Sequence, residues 1–154
     1  MMRARLVKSF ADRRSDTEVT AALTMESETY FQKPIEDLAP AAVLVPIIDY
    51  ADGLTVLLTQ RSTLLKDHPG QISFPGGQSE NIDADSTATA LRESEEEIGL
   101  NRDRVEVLGN LDVCLTGTGY RVVPVVGLVT PPLKLRLNDF EVVDAFEVPL
   151  KLIL

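Results

Sequence analysis

A group of glutamates near the middle of the chain has a spacing that could hold a divalent cation. Residues 92–100 read Arg-Glu-Ser-Glu-Glu-Glu-Ile-Gly-Leu. On a helix of about 3.6 residues per turn, Glu96 and Glu97 lie about 60° and about 40° to either side of Glu93, whereas Glu95 points away from them. Like charges at these spacings each destabilise a helix by about 0.2–0.5 kcal/mol, so a cation over the three side chains would stabilise it. Mg²⁺ suits such a site because it prefers carboxylate oxygens.

The helix that must position these glutamates is predicted from its other side and from its ends. Runs of glutamate on helices are usually solvated faces, and that alternative stays open for the run by itself. The other side of this segment carries apolar or small residues at helical spacing, namely Thr87, Leu91, Ser94 and Ile98. Asp85 or Ser86 can cap the first turn, and Gly99 can end the helix in a left-handed conformation. We therefore predict a helix over residues 86–98 that packs on one side.

Apolar runs and turn residues around this helix predict an α/β domain with a mixed sheet. Residues 1–38 show weak helical periodicity and are expected to form an N-terminal helix and linker, followed by one domain at residues 39–154. Strands are predicted at residues 41–48, 54–60, 71–74, 104–115 and 120–129, the first two as a hairpin. Pro124 removes a backbone donor, so the last of these strands should lie at an edge or carry a bulge.

Composition and charge exclude several classes of protein. The 154 residues, of which 44% are hydrophobic, suit one globular domain with a core. A net charge of −9 disfavours nucleic acid or an anionic membrane as partner. The one cysteine, Cys114, lies in an alternating apolar stretch and is expected to be a core thiol, and with His68 as the only histidine a zinc site is disfavoured. No segment has the length of a transmembrane helix or a hydrophobic signal core, so we expect a cytoplasmic protein.

The acidic run matches a known family pattern. Residues 92–100 resemble the second half of the Nudix box, which reads Arg-Glu-U-x-Glu-Glu-x-Gly-U with U usually aliphatic. Ser94 is the departure in this half. In the first half, one inserted residue puts Gly77 at the glycine position and Asp83 at the acid position. The chain therefore resembles the Nudix hydrolase superfamily.

A second signature, upstream of the box, resembles the coenzyme A pyrophosphatase-like branch of that superfamily. The branch pattern is Leu-Leu-Thr-x-Arg-Ser, three residues, Arg, three residues, Gly, three residues and Phe-Pro-Gly-Gly. From residue 57 the chain reads Leu-Leu-Thr-Gln-Arg-Ser, and Lys66, Gly70 and the Phe-Pro-Gly-Gly of residues 74–77 follow at the same spacing. Lys66 keeps the positive charge of the expected arginine but loses its bidentate geometry.

This resemblance implies a Nudix-like α/β/α sandwich, with the acidic helix packed on a mixed β-sheet. It also implies hydrolysis of a diphosphate with Mg²⁺ as cofactor, for which Mn²⁺ could substitute. By position in the box, Glu93, Glu96 and Glu97 would be the metal ligands, and Glu93 and Glu96 are also the candidate catalytic carboxylates. Arg92 resembles the family arginine that pairs with and positions a box glutamate. The general base stays open between a box glutamate and one from a later loop, such as Glu141.

The matched signatures imply substrate contacts from Arg61, Lys66, Gly76 and Gly77. The two cations could contact a 3′-phosphate or the diphosphate, or be surface charges. The two glycines could bring backbone amides close to phosphate, or make the turn by which the loop leaves the sheet. Asp83 could close the loop on the metal side, or be a turn or cap residue. His68 has no visible partner in the sequence and is left unassigned.

Three functional hypotheses follow from the resemblance. The first is a hydrolase of a small-molecule nucleotide, splitting coenzyme A or an acyl derivative into 3′,5′-ADP and 4′-phosphopantetheine or its acylated form. The second keeps the chemistry but uses another substrate, such as a nucleotide sugar or a damaged nucleoside triphosphate. The third is a Nudix-fold binding or regulatory domain with little turnover, which the retained Glu93, Glu96 and Glu97 disfavour.

The end of the chain carries a separate expectation. Members of the resembled family usually extend beyond the strand that corresponds to residues 142–148, whereas this chain ends on the apolar residues 149–154. We therefore expect either a short variant of the family or a truncated C-terminal end whose surface is normally covered by a missing segment or by a partner, such as a second copy in a homodimer.

Overall fold

The computed structural model describes residues 2–11, 34–66 and 68–153. In these ranges the helices are α1 (Met2–Ala11) and α2 (Ser86–Ile98). The strands are β1 (Ala39–Tyr50), β2 (Gly53–Arg61), β3 (Ile72–Ser73), β4 (Gly76–Gln78), β5 (Val105–Asn110), β6 (Cys114–Leu115), β7 (Tyr120–Val129) and β8 (Val142–Pro149). Short 3-10 helices lie at Ile35–Asp37, Arg102–Arg104 and Leu150–Leu152.

One mixed sheet contains all of these strands, with β1 at its centre. Along one edge β1 pairs in parallel with β7. Along the other edge it pairs antiparallel with β4 near its start and with β2 near its end. β2 also pairs with β3 and β8, and β7 also pairs with β5 and β6. The predicted mixed sheet and the predicted hairpin of β1 and β2 are therefore confirmed.

Helices cover both faces of this sheet. The face under α2 buries a core that includes Leu44, Ile48, Val125, Val129, Ala90 and Ile98. The opposite face buries Val45, Ile47, Val126 and Leu128, against which Leu6 and Phe10 of α1 pack. Successive strand residues point to opposite faces, and burial on both faces explains why the sequence of β1 is almost continuously apolar. The α/β/α sandwich is confirmed.

The helix α2 begins and ends at the residues that its sequence predicts. Asp85 is the N-cap, and its Oδ1 accepts from the Ala88 amide at 2.8 Å. Gly99 adopts the left-handed conformation, with φ 69°, and its amide donates to the Glu95 carbonyl. The buried side is wider than the predicted apolar stripe, because it also includes Thr89, Ala90, Arg92 and Glu97.

The prediction of an edge strand at Pro124 is wrong, whereas its alternative, a local bulge, is present in the neighbouring chain segment, where the three residues 111–113 face the two residues 123–124. β7 is an interior strand, with β1 on one side and β5 and β6 on the other. The Pro124 carbonyl accepts from the Leu111 amide at 2.8 Å, and Leu111 lies in the gap between β5 and β6. The donor that proline lacks therefore falls where the neighbouring ladder is interrupted. A second bulge on this side lies further along, between Val107 and Gly109.

The single cysteine is also placed differently from its prediction. Cys114 is exposed, because the two-residue strand β6 turns the neighbouring Val113 inwards, where it is 7% exposed. The long strand predicted over residues 104–115 is thus two short strands. None of the helices in the described ranges is long and apolar enough to cross a bilayer. The division at residue 38 stays a prediction, because most of the proposed linker lies outside the described residues.

Candidate active site

Two glycines of β4 make room for two glutamates of α2. At Gly77, a Cβ atom would lie 2.7 Å from Cδ of Glu93, and at Gly76 it would overlap the Ala42 carbonyl oxygen. The Gly76 amide faces the Glu97 carboxylate. These glycines lie in a strand, so of the two alternatives left open by the sequence, the turn is wrong. The absence of a side chain is what lets the carboxylates approach the sheet.

Burial among like charges makes these carboxylates unusual acids. Burial is the largest cause that raises the pKa of Glu97, to about 8, and the charges of Glu93 and Glu141 raise it further. Arg61 and the Gly76 amide oppose the rise without cancelling it. Burial also raises the pKa of Glu93 against the lowering effect of Arg92. The cluster of Glu93, Glu97 and Glu141, called the carboxylate cluster below, therefore keeps a proton on Glu97 at neutral pH unless a cation compensates its charge.

Arg92 joins this cluster to the loop before α2. Its guanidinium donates to Asp83 Oδ1 at 2.9 Å and to Asp83 Oδ2 at 3.0 Å. It also donates to Glu93 Oε1 at 3.0 Å, to Glu96 Oε2 at 3.2 Å and to the Gln78 carbonyl at 3.1 Å. The expected contact between Arg92 and a box glutamate is present. Because the guanidinium is planar and held from both sides, it fixes the rotamer of Glu93.

Asp83 has a larger part in this arrangement than either reading of its sequence position suggested. Its side chain is 4% exposed and accepts from Arg92, from Thr89 Oγ1 at 2.9 Å and from the Glu80 amide at 2.9 Å. The hydrogen bonds from Arg92 hold the pKa of Asp83 well below its usual range. The signal was present in the sequence, since one inserted residue aligns Asp83 with the acid position of the box.

Glu96 lies at the rim of the site. Its side chain is 57% exposed and accepts from Arg92. Glu96 is not among the carboxylates that raise the pKa of the buried Glu97, which are Glu93 and Glu141. Glu95 lies apart, as predicted, and pairs with Arg102 at 2.8 Å.

A loop from the far end of the chain carries Glu141 to this place. The Arg136 and Asn138 amides donate to the Ile98 and Glu97 carbonyls, each at 2.8 Å, and so satisfy the last turn of α2. The Glu141 carbonyl then accepts from the Ser62 amide at 2.9 Å. Glu141 is therefore fixed between the end of α2 and the end of β2.

The chemistry of these donors fits a hard divalent cation. Within residues 2–11, 34–66 and 68–153, no three His, Cys, Asp or Glu side chains are arranged as a complete metal site. The carboxylate cluster nevertheless offers oxygen ligands only, and its buried charge needs a counter-ion. Glu93 and Glu97 could hold such an ion, with Glu141 beside them.

A cavity of about 330 Å³ lies next to the carboxylates. Its wall includes Arg61, His68, Gly76 and Gly77, and also residues from the start of β1 and from the turn between β6 and β7. Lys66 is exposed on the loop after β2 and does not line this cavity. Three of the four residues expected to contact substrate are thus brought together, with the unassigned His68 beside them. A larger cavity, of about 920 Å³, surrounds the turn between β1 and β2 at the other end of β1.

Comparison with known proteins bears on the identity of this site. The Nudix domain profile matches residues 38–151. The chain is 49% identical over 110 residues to the uncharacterized Nudix hydrolase NudL of Photorhabdus laumondii. The aligned region covers 71% of this chain and 58% of that protein. It is also 49% identical over 111 residues to NudL of Escherichia coli K12, and that aligned region covers 71% of this chain and 57% of that protein. The chain thus spans somewhat more than half the length of these curated relatives.

Solved structures share the fold at low sequence identity. A binary complex of Ap4A hydrolase from C. elegans has a TM-score of 0.62 at 19% identity, covering 72% of this chain and 80% of that one. RenU, a Nudix hydrolase from M. smegmatis, has a TM-score of 0.62 at 18% identity, covering 75% and 73%. The Nudix domain of Shewanella oneidensis NrtR, solved with ADP-ribose, has a TM-score of 0.57 at 21% identity, covering 84% of each chain. With its profile match and its curated relatives, the chain belongs to the Nudix domain family.

Proposed function

We propose that this protein hydrolyses the diphosphate linkage of coenzyme A or acyl-coenzyme A, using a divalent cation. The observation that carries the proposal is the carboxylate cluster at the edge of a cavity that Arg61 lines. A site that combines metal-binding carboxylates with a nearby arginine suits a phosphorus anhydride, because the metal and the arginine together neutralise its charge. Nudix hydrolases generally use divalent metal ions, and Mg²⁺ or Mn²⁺ is the proposed ion.

Each residue of the site has a proposed task. Glu93 and Glu97 would hold the ion, which supplies charge neutralisation and lowers the pKa of a water. Arg92 keeps Glu93 in position through their 3.0 Å hydrogen bond. Glu141 is the proposed proton acceptor for the attacking water, because it faces Glu97 and its carbonyl is anchored to Ser62. Glu96, tied to Arg92 at the rim, is the second candidate.

The choice of coenzyme A depends on the signature at residues 57–77. In the structure its segments form β2, the loop after it, β3 and β4, and they supply Arg61, Gly76 and Gly77 to the cavity wall. Hydrolysis would add one water across the diphosphate and release 3′,5′-ADP and 4′-phosphopantetheine, or its acylated form.

A substrate panel tests this function. The protein is incubated with Mg²⁺ and coenzyme A, acetyl-coenzyme A, ADP-ribose, a nucleotide sugar or a nucleoside triphosphate, and the products are identified by mass spectrometry. We expect the coenzyme A compounds to be cleaved fastest, and EDTA to stop the reaction. Cleavage of another panel member with coenzyme A left intact would refute the substrate. No turnover of any member would favour a binding or regulatory domain.

Two variants connect the activity to the cluster. Glu97→Gln removes a charge without changing shape, and kcat should fall by at least about 100-fold, since the proposed metal ligand is lost. Glu95→Gln is the matched control, because Glu95 pairs with Arg102 outside the site. The control should keep kcat within about twofold. Equal activity of both variants would contradict the metal-holding role of Glu97.

A further inference from the structure

A buried threonine of α2 contacts the loop that carries Asp83. Thr89 is fully buried, with an exposed fraction of 0%. Its Oγ1 lies 2.9 Å from Asp83 Oδ2 and 2.9 Å from Ser79 Oγ. The Asp85 carbonyl, one turn earlier, is a more distant partner at 3.3 Å. A threonine within a helix commonly satisfies its hydroxyl through such a carbonyl alone, so the two contacts outside the helix need a separate explanation.

Ser79 fixes this contact to the sheet. It follows β4 directly, and its amide donates to the Pro40 carbonyl at 2.9 Å, which continues the pairing of β4 with β1. The hydroxyls of Ser79 and Thr89 can share a hydrogen bond, because each is both a donor and an acceptor. Thr89 therefore ties α2 to the sheet at the point where the loop to Asp83 begins.

Thr89 is also one of the donors to the Asp83 carboxylate. Oδ1 of this carboxylate accepts from Arg92 Nε at 2.9 Å. Oδ2 accepts from Arg92 Nη2 at 3.0 Å, from the Glu80 amide at 2.9 Å and from Thr89. The hydrogen bonds from Arg92 lower the pKa of Asp83 most, and the one from Thr89 lowers it further. The Thr89 hydroxyl thus helps to keep this carboxylate charged and turned towards the guanidinium.

A path of side-chain contacts leads from Thr89 to a proposed metal ligand. Asp83 occupies Nε and Nη2 of Arg92, and Nη1 donates to Glu93 Oε1 at 3.0 Å. Because the guanidinium is planar, a rotation that follows Asp83 also turns Nη1 away from Glu93. Bulk water cannot replace a hydroxyl that is lost at so buried a position. The orientation of Glu93 should therefore depend on Thr89.

We propose that Thr89 is a positioning residue, whose hydroxyl orients Asp83 so that Arg92 holds Glu93 in place for the divalent cation. The proposal rests on the proposed function, in which Glu93 is a ligand of that ion. Thr89 does not line the cavity beside the carboxylate cluster. Its effect on the site must therefore pass through the side chains between them.

Two substitutions separate the hydroxyl of Thr89 from its packing. Thr89→Val keeps a similar shape without the hydroxyl, whereas Thr89→Ser keeps the hydroxyl and loses a buried methyl group. Mg²⁺ affinity is measured by isothermal titration calorimetry, and stability by urea denaturation. We expect Thr89→Val to weaken Mg²⁺ binding by about fivefold or more, somewhat less than the about 10–100-fold effect of losing a direct partner of a metal ligand. Thr89→Ser should keep the affinity within about twofold although the lost methyl group lowers stability.

Thr55→Val is the matched control. Thr55 Oγ1 also donates to a carboxylate, that of Glu147 at 2.6 Å, but Thr55 lies in the wall of the larger cavity at the other end of β1. This variant should keep the wild-type affinity for Mg²⁺. If Thr89→Val keeps it too, or if Thr89→Ser weakens binding as much as Thr89→Val does, Thr89 has only a structural role and the proposal is overturned.

A double variant tests the path through Asp83. In the Asp83→Asn background, Thr89→Val should change Mg²⁺ affinity by less than about twofold, because the charged link to Arg92 is already broken. Fully additive losses of affinity would mean that Thr89 acts by another route, and would overturn the proposal. If these variants show the expected pattern of Mg²⁺ binding but wild type cleaves no coenzyme A, the proposed substrate is refuted and the positioning role of Thr89 stands.

Discussion

At the residue scale, the pairing of Asp83 with Arg92 decides the position of the carboxylate cluster. Arg92 is 9% exposed and Asp83 accepts two of its hydrogen bonds, at 2.9 and 3.0 Å. Nη1 of the same guanidinium donates to Glu93 and Glu96. Removing the charge of Asp83 would leave a buried cation with only the glutamates as counter-charges, and a glutamate drawn further towards Arg92 would be a poorer metal ligand.

Asp83→Asn should therefore lower the free energy of unfolding at neutral pH by about 2–3 kcal/mol, a value between those of exposed and fully buried ion pairs. Urea denaturation measures this change. Asp139→Asn is the control, because Asp139 is exposed, and it should change stability by less than about 0.5 kcal/mol. A loss equal to that of the control would show that the ion pair contributes little.

The same pair predicts a dependence on acid. The pKa of Asp83 is lowered in the folded state from its ordinary value of 3.8, so the folded protein binds this proton less readily than the unfolded chain. The stability that it supplies is present above about pH 5 and is lost as the pH falls. The difference in unfolding free energy between wild type and Asp83→Asn should shrink from pH 7 to pH 3 in the same urea experiment.

At the element scale, signals within a short segment were sufficient to predict α2. The Asp85 cap, the Gly99 terminus and the spacing of Glu93 and Glu97 are all local, and the helix has the predicted bounds. Glu141 could be named only as one open option, because its approach depends on amides of a distant loop that bond to the end of α2. Local sequence does not encode such long-range packing.

The misplaced elements have the same cause. Pro-Gly-Gly is a strong turn signal, yet β4 pairs with the start of β1, which lies far away in sequence. Pro124 seemed to require an edge strand, but the gap between β5 and β6, which lies opposite Pro124, accommodates the missing backbone donor. His68 could not be assigned, because its place in the wall of the same cavity as Arg61 follows from a left-handed turn that the sequence did not mark.

The packing of β4 against α2 predicts different results for its two glycines. In Gly77→Ala the new Cβ meets the end of the flexible Glu93 side chain, so the carboxylate should move while the fold persists. In Gly76→Ala it meets backbone atoms of Ala42 and Val43, so β4 or β1 itself must shift, at a cost of about 1–3 kcal/mol or more.

Mg²⁺ titration and urea denaturation distinguish the two effects. Gly77→Ala should weaken Mg²⁺ binding by about tenfold or more with a small loss of stability, whereas Gly76→Ala should mainly lose stability. Gly117→Ala is the matched control, since nothing lies within 4 Å of its Cβ position, and both measurements should stay near wild type. Unchanged Mg²⁺ affinity in Gly77→Ala would contradict the role of Glu93 as a ligand.

At the scale of the whole molecule, charge is distributed unevenly. The net charge of −9 includes the carboxylate cluster, whereas the adjoining cavity wall presents Arg61 and His68. Concentrating buried like charges on one edge of a sheet destabilises the metal-free fold, because each carboxylate is desolvated and repelled by the others. A cation that joins Glu93 to Glu97 would remove this cost in the folded state only. Metal binding and global stability should therefore be coupled.

Mg²⁺ should accordingly raise the melting temperature. At a hundredfold excess over Kd, binding to the folded state adds about 2.7 kcal/mol. For a chain of 154 residues this corresponds to an increase in Tm of about 5–10 °C, which EDTA should reverse. In differential scanning calorimetry Glu97→Gln should lose most of the increase, and should melt no lower than wild type without metal, because the neutral amide avoids the cost of burying or protonating a carboxylate. Glu95→Gln should keep the full increase. If Glu97→Gln keeps it as well, the ion that stabilises this fold binds somewhere other than the carboxylate cluster.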